Sequence, residues 1–254
     1  MGSKKIVGRL RVILGCHLRN ITSYLLFLLI LSRKSHSLTP SHKSALVFSP
    51  HQDDETLGCG GAIALKRRLA VPVKVVFLTD GRYGSLQPIA LEEFINIRKQ
   101  EAMTALGILG VAPSDIQFLD RIDGSLDNLP AEERQNLIEQ LAQLLTDFMP
   151  EEVYVPHRQD SHPDHEATYQ LVQAAIAKSG MKVDLLQYPI WILWQNPLSL
   201  QINSKDLAGA YRLAIDSVRQ QKHQAIETYK SQIPGLTRGF LRRFFSPYEL
   251  FFKD

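Results

Sequence analysis

The sequence predicts an α/β fold of the Rossmann-like kind: a mainly parallel sheet with helices on both faces. Three observations predict it. Short runs of apolar strand formers alternate with longer stretches of helical spacing. The alternation repeats from residue 45 to residue 188. The polar residues capable of chemistry gather directly after apolar runs. Strand–helix alternation at this spacing requires crossover connections, which make neighbouring strands parallel and place helices over both faces.

The elements follow in order. Ala45–Phe48 is dense enough in strand formers to be a buried strand, and Gly58–Leu69 follows with helical spacing. Val73–Leu78 is a second strand, bounded by Pro72 and by Thr79-Asp-Gly81. Leu91–Leu109 reads as a long amphipathic helix, Ile116–Leu119 as a third strand, and Leu129–Phe148 as a helix with Pro130 in its first turn. Val153–Val155, closed by Pro156, is a fourth strand; Asp164–Ala177 is helical behind Pro163; Val183–Tyr188 is a fifth strand. In sheets of this kind functional groups collect just beyond the carboxyl ends of the strands.

The chain has 254 residues, with 44% hydrophobic and 22% charged residues, which excludes wholesale disorder and needs no staples to fold. Two cysteines, Cys16 and Cys59, make no disulfide framework and fit a reducing compartment. The net charge of +3 is unevenly placed. The first 52 residues hold eight basic residues and no acid, whereas the remainder holds 21 basic and 26 acidic residues. The basic balance therefore belongs to the N-terminal segment, and no nucleic-acid partner is expected.

Residues 1–43 form a segment apart from the domain expected over 44–254. Ile21–Leu31 is an uncharged apolar run, shorter than the ~20 residues a spanning helix needs. Arg19 precedes it and Arg33 and Lys34 follow; no small-residue cleavage site comes after it, and Ile6 stands where a myristoylation signal has Ser or Thr. Two readings stay open: residues 5–32 as a helix lying on or dipping into a membrane with its cations at anionic head groups, or an extra helix packed on the domain. The expected location is the cytoplasm, with or without that membrane contact. Leu38–Ser41 reads as a linker.

Two polar clusters fall at strand ends. The first is Ser49-Pro-His-Gln-Asp-Asp-Glu-Thr-Leu-Gly-Cys-Gly-Gly61. Taken alone, Asp53, Asp54 and Glu55 read equally well as caps that favour a helix N-terminus. Gly58, Gly60 and Gly61 lack the G-x-G-x-x-G spacing of a dinucleotide loop, and acids beside them would repel a pyrophosphate. The second is His157-Arg-Gln-Asp-Ser-His-Pro-Asp-His165, with three of the chain's eight histidines. On neighbouring strands the two clusters converge: one His and one carboxylate from the first, with one His from the second, make an N,N,O set that leaves a coordination position open, as catalytic zinc sites do. A second carboxylate beside the ligand is then free to act as a base.

At these residues the chain resembles the LmbE-like (PIG-L) deacetylases, which include N-acetylglucosaminylphosphatidylinositol de-N-acetylases and the deacetylases of mycothiol and bacillithiol synthesis. The family's P-H-P-D-D-E appears as Pro50-His-Gln-Asp-Asp-Glu55 and its H-x-D-H as His162-Pro-Asp-His165. Thr79-Asp-Gly-Arg-Tyr-Gly84 is similar to its glycine loop, and Arg98-Lys-Gln-Glu101 to its R-x-x-E. The resemblance covers residues 44 to 190. It implies that His51, Asp54 and His165 hold a divalent metal, usually Zn2+, with Fe2+, Co2+ or Mn2+ as substitutes. It implies that Asp53 is the general base, and that His162, protonated and oriented by Asp164, stabilises the oxyanion and protonates the leaving amine. Arg98, Arg82 and Tyr83 are expected to bind substrate. Gln52 departs from the family's Pro.

The implied activity is hydrolysis of an N-acetyl group on an N-acetylglucosamine-containing sugar or glycolipid. Alternatives are a metal amidase for another N-acyl substrate and a non-catalytic, membrane-tethered glycan-binding module. The tail Phe240–Phe252 carries six aromatics, read either as a terminal strand and loop on the core or as a wall for the substrate. Trp191 and Trp194 are expected either to fill the core or to stack on a sugar.

Overall fold

The computed structural model describes residues 2–85, 88–194 and 209–253, with side chains from Gly15 onward. Eight strands form one sheet: β1 (His36–Leu38), β2 (Ala45–Ser49), β3 (Val73–Thr79), β4 (Ile116–Arg121), β5 (Glu152–Pro156), β6 (Asp184–Tyr188), β7 (Ala210–Ala214) and β8 (Tyr248–Phe252). Their order is β1-β7-β8-β6-β5-β2-β3-β4. Every pairing is parallel except those of β8, which runs antiparallel to both β6 and β7.

The helices are α1 (Gly2–Leu29), α2 (Asp54–Arg68), α3 (Leu91–Ile108), α4 (Ala131–Phe148), α5 (Pro163–Ser179), α6 (Arg219–Ile226) and the short α7 (Arg238–Leu241). The apolar runs are continuous because the central strands are covered twice. On β2, Ala45 and Val47 pack with Leu57, Ile63 and Leu106 from α2 and α3; Leu46 and Phe48 pack with Leu137, Leu141 and Leu171 from α4 and α5. A strand with both faces buried has no polar side to alternate with. The mainly parallel, doubly covered sheet expected from the sequence is therefore present.

Three features differ from the sequence reading. First, α2 begins at Asp54 rather than Gly58, so the acids occupy its first turn, and a kink follows at Cys59 (φ −139°, ψ 20°). Gly58 belongs there because a Cβ would lie 2.3 Å from the Tyr188 ring. Second, the sheet extends beyond five strands. The aromatic tail supplies β8, and β1 ends at Leu38, where the expected linker begins; β7 pairs with both. Third, α1 is continuous to Leu29 and closes in a π-helical turn, Ile30–Lys34. One face of it packs on the domain, where Phe27, Ile30 and Leu31 meet Ile192, Leu193, Leu250 and Phe252. The basic side chains of Lys4, Lys5, Arg9 and Arg11 lie outside the described residues. Cys16 and Cys59 are both free.

One buried ion pair joins α6 to β8, and both of its members bond the backbone of α2. The Lys222 ammonium donates to Glu249 Oε1 at 2.7 Å and to the Leu57 carbonyl, while Glu249 accepts from the Gly61 and Ala62 amides. Both side chains are almost fully buried. Removing one partner of such a pair strands the other's charge. Lys222→Met should therefore lower unfolding stability by about 3–5 kcal/mol, read from chemical denaturation at neutral pH. A loss below about 1 kcal/mol would show that the amides alone suffice for Glu249.

Candidate active site

Strands β2 and β5 are direct parallel neighbours, with Val47 opposite Tyr154, so the loops that leave their carboxyl ends lie side by side. This brings the two polar clusters together. The first loop carries three acids that face three ways. Asp54, the first residue of α2, sends Oδ2 to within 3.1 Å of His51 Nδ1 and 3.2 Å of His165 Nε2. Asp53 has φ 144°, which turns its side chain the other way, towards the cavity and Arg98. Glu55 points back into the fold, accepting from the Asp53 amide and from Tyr229 and Thr56. The third acid is thus a brace for the loop.

The second loop ends at α5. His162 is the N-cap, in extended backbone, and Pro163 opens the helix. His165, one turn in, is fully buried; its Nδ1 lies 2.7 Å from Asp160 Oδ2. Asp160 itself is held by the amides of Ile190, Trp191 and Ile192. Each imidazole that faces Asp54 is therefore fixed from behind by a carboxylate: His165 by Asp160, and His51 by Asp123 and Asp164, at 3.0 and 3.2 Å from its Nε2. Carboxylate-backed imidazoles are the usual support of metal-binding histidines.

The donor set fits a metal on the geometry of this chain. His165 Nε2 is buried and, although near Asp54, makes no hydrogen bond. The ring nitrogens of His51, His162 and His165 offer ligand atoms within 4.8 Å of one another, and His51 also groups with Asp123 and Asp164. The charges agree. Burial alone would depress His165, but Asp54 and Asp160 raise it to about 9. His51 is likewise raised, by Asp123, Asp164 and Asp54 against its burial. The two imidazoles hold Asp54 well below the usual carboxylate range in spite of burial. Burial and the charge of Asp54 push Asp53 up to about 7, partly opposed by Arg98.

These side chains open on a cavity of about 370 Å³. His51, Asp53, Asp54, Tyr83, Arg98 and His162 line it, as expected. Three expectations are corrected. Asp164 does not meet His162; it lies two residues on, past the start of α5, and reaches His51 and the amides of Gly124 and Leu126 instead. The surrounding side chains do not favour the protonated form of His162: burial and the charges on His165 and His51 lower it to about 4. Arg82 is turned away from the cavity and bound to Asp80 through two nitrogens.

Arg98 lines the cavity, yet its guanidinium is already engaged. Its terminal nitrogens donate to the carbonyls of Gly81 and Gln52. Gln52 donates from Nε2 to the Thr79 carbonyl at 2.7 Å, a tie from the β2 loop to the end of β3. Gly81, at φ +64°, has no room for a Cβ, which would lie 2.1 Å from Gln52 Oε1. So the departure at Gln52 leaves the loop anchored by a hydrogen bond.

Sequence reasoning missed Asp123, Asp160, Gln232 and Leu236. Asp160 sat inside the histidine-rich cluster and was legible there. Asp123 followed strand β4 in an Asp-Gly pair that any turn might carry. Trp191 and Phe240 wall the cavity, with ring centres 4.5 Å apart. Trp194 packs behind them and donates its indole N–H to Asn20 of α1. The aromatic tail is thus both terminal strand and, at Phe240 alone among the described residues, cavity wall.

A parallel sheet that presents buried imidazoles around a carboxylate, with a second carboxylate left free beside them, defines a metal-dependent hydrolase. Comparison with known proteins narrows this class. Residues 46–176 match the family described as GlcNAc-PI de-N-acetylase (PIG-L), and the chain belongs to that family; it is a hydrolytic N-deacetylase. It is 25% identical over 208 residues to a probable N-acetyl-alpha-D-glucosaminyl L-malate deacetylase 2 of Bacillus subtilis, covering 76% of this chain and 85% of that one. It is 31% identical over 156 residues to a 1D-myo-inositol 2-acetamido-2-deoxy-alpha-D-glucopyranoside deacetylase of Mycobacterium sp. (strain KMS), covering 52% of this chain and 50% of that one. Among solved structures, GalB of Pseudomonas putida, a 4-carboxy-2-hydroxymuconate hydratase, superposes with a TM-score of 0.62 at 25% identity, covering 80% of this chain and 82% of that one. The fold therefore also carries a chemistry other than amide hydrolysis, and the assignment here rests on the family match.

Proposed function

We propose that this chain removes the acetyl group from an N-acetylglucosamine-type sugar with the aid of zinc, held by His51, Asp54 and His165. The observation that carries the reading is the division of labour between adjacent acids: Asp54 sits against two imidazoles while Asp53 faces the cavity. A zinc ion there would supply Lewis acidity, which makes water a better nucleophile and polarises an amide carbonyl. The relatives named above act on N-acetylglucosamine-containing substrates, and a cavity of about 370 Å³ walled by Trp191 and Phe240 suits one sugar ring.

The chain's own residues then do the following. Asp53 accepts a proton from the attacking water; Arg98, at 3.7 Å, balances its charge without binding it closely. His162, neutral, offers a ring N–H to the oxygen that gains charge as water adds to the carbonyl. Among the described residues its Nδ1 is buried with no partner, so a donor or acceptor there is available to substrate. The proton taken by Asp53 goes on to the departing amine. Asp160, Asp164 and Asp123 keep the imidazoles turned inward.

The test is release of free amine from a panel of N-acetylglucosamine and N-acetylgalactosamine glycosides and N-acetyl amino acids, before and after chelation and after zinc is restored. Amine from the glucosamine glycosides, lost on chelation and recovered with zinc, is the expected result. Release from amino acids alone would replace the sugar by another N-acyl substrate, and turnover unaffected by chelation would overturn the metal assignment.

A further inference from the structure

A second cavity lies on the far side of α7 from the catalytic one. It is the larger of the two, about 890 Å³, between α1 and the tail. Arg212, Arg219, Arg238 and Arg242 border it, with apolar Leu28, Leu241 and Phe245 between them. Among the described residues no carboxylate pairs with any of the four, but Arg212 donates to the Leu31 and Ser35 carbonyls and Arg219 to that of Phe245, so the uncommitted guanidiniums are those of Arg238 and Arg242. Arg238 and Arg242 are exposed, and the Arg242 guanidinium lies 4.0 Å over the Tyr24 ring. Unpaired guanidiniums around an apolar-lined hollow are complementary to an anion that carries an apolar chain.

The rim of this cavity continues into an unpartnered stripe on α1. Leu18, Ile21, Leu25, Leu28 and Leu29 recur at helical spacing and are all exposed, Ile21 by 59% and Leu25 by 58%. Leu28 belongs to both the stripe and the cavity wall. The opposite face of α1 is committed to the domain. Asn20 accepts from Trp194 and Thr237, Ser23 accepts from buried Arg243, and Phe27 and Ile30 are buried. A helix held so cannot turn on end to cross a bilayer, though Gly15–Lys34 is long and apolar enough by composition. It can only lie flat, with the stripe outward.

We infer that the arginine-lined cavity and the leucine stripe of α1 together form a docking site for an anionic phospholipid surface, one headgroup phosphate entering the cavity and the stripe resting among the acyl chains. Charge chooses this occupant over a second copy of the chain. The first 52 residues contain no acid, so the stripe of one copy would bring basic residues against the four arginines of another. The inference stands apart from the deacetylase reading, since none of these residues lines the catalytic cavity.

The test is co-sedimentation of the full chain with vesicles of phosphatidylcholine alone and of equal parts phosphatidylcholine and phosphatidylglycerol. Each basic residue at an anionic surface strengthens partitioning by about fivefold. Binding to the mixed vesicles alone is expected, weakened about 30-fold in Arg238→Gln/Arg242→Gln and abolished in Ile21→Glu/Leu25→Glu. Both variants change exposed positions, and unaltered circular dichroism and thermal unfolding would show them folded. Equal binding to both vesicle types, or arginine variants that bind as wild type does, would overturn the headgroup site. No vesicle binding, with light scattering that shows a dimer broken by Ile21→Glu/Leu25→Glu, would assign the stripe to a second copy and overturn the inference.

Discussion

Asp53→Asn should lower kcat by about 100- to 10,000-fold, the range that a positioned general base contributes, while the protein keeps its full complement of zinc. The expectation follows from direction. Asp53 points into the cavity and is braced only by Arg98, whereas Asp54 makes the contacts with His51 and His165. An amide at position 53 keeps the volume and the brace but cannot take a proton. Amine release and metal content measured on the same preparation separate the two roles. Wild-type turnover would remove Asp53 from the mechanism, and loss of zinc together with turnover would make it a ligand.

His165→Ala should leave the protein folded and without zinc. The side chain is fully buried, and its Nε2 has no hydrogen bond to lose. What disappears is the nitrogen facing Asp54, along with the function of Asp160 behind it. Even loosening such a support costs about 10- to 100-fold in metal affinity, so removal of the ligand should exceed that. A metal ion at this site would have to displace the proton that Asp54 and Asp160 favour on His165, which they raise to about 9 against its burial. His51 is raised as well, so affinity should rise with pH towards that value by more than about tenfold per unit, up to about a hundredfold where both imidazoles release a proton. Calorimetric titration of zinc from mild acid to pH 8 reads both. Stoichiometric zinc in the variant, or affinity that is flat with pH, would contradict the assignment.

What was legible in the sequence and what was not divides along one physical line. The elements from β2 to β6 announce themselves because β2, β3 and β5 are buried on both faces and α4 has one apolar side. Val73–Thr79 and Leu137, Leu141 and Leu145 are unmistakable on that ground. The outer strands carry no such mark. His36–Leu38 is three residues, and Ala210–Ala214 alternates buried and part-exposed positions. Their pairing is decided by β8, far along the chain. In the site, His51, Asp54 and His165 were readable because they cluster in sequence after adjacent strands. Asp164, which the family resemblance pairs with His162, faces elsewhere. On a helix, two residues onward is more than half a turn away, and the Asp164 carboxylate accordingly meets a histidine from another loop. Asp123 arrives from β4, two strands from β2, a separation that no local pattern encodes.

The insertion of β8 between β6 and β7 bears on the order in which the chain acquires structure. β2 to β5, with α4 and α5 over one face, emerge in sequence with their sheet partners β2 to β6 close behind. β1 and β7 do not, because the strand that joins them to the rest of the sheet is made after all the others. The seat of α1 also includes Leu250 and Phe252. α1, which precedes the domain in the chain, therefore finds its full seat only when β8 is made. Throughout synthesis its apolar residues are open to whatever meets them first, be it a chaperone or a bilayer. Association with a membrane during translation would then precede, and need not await, completion of the catalytic domain.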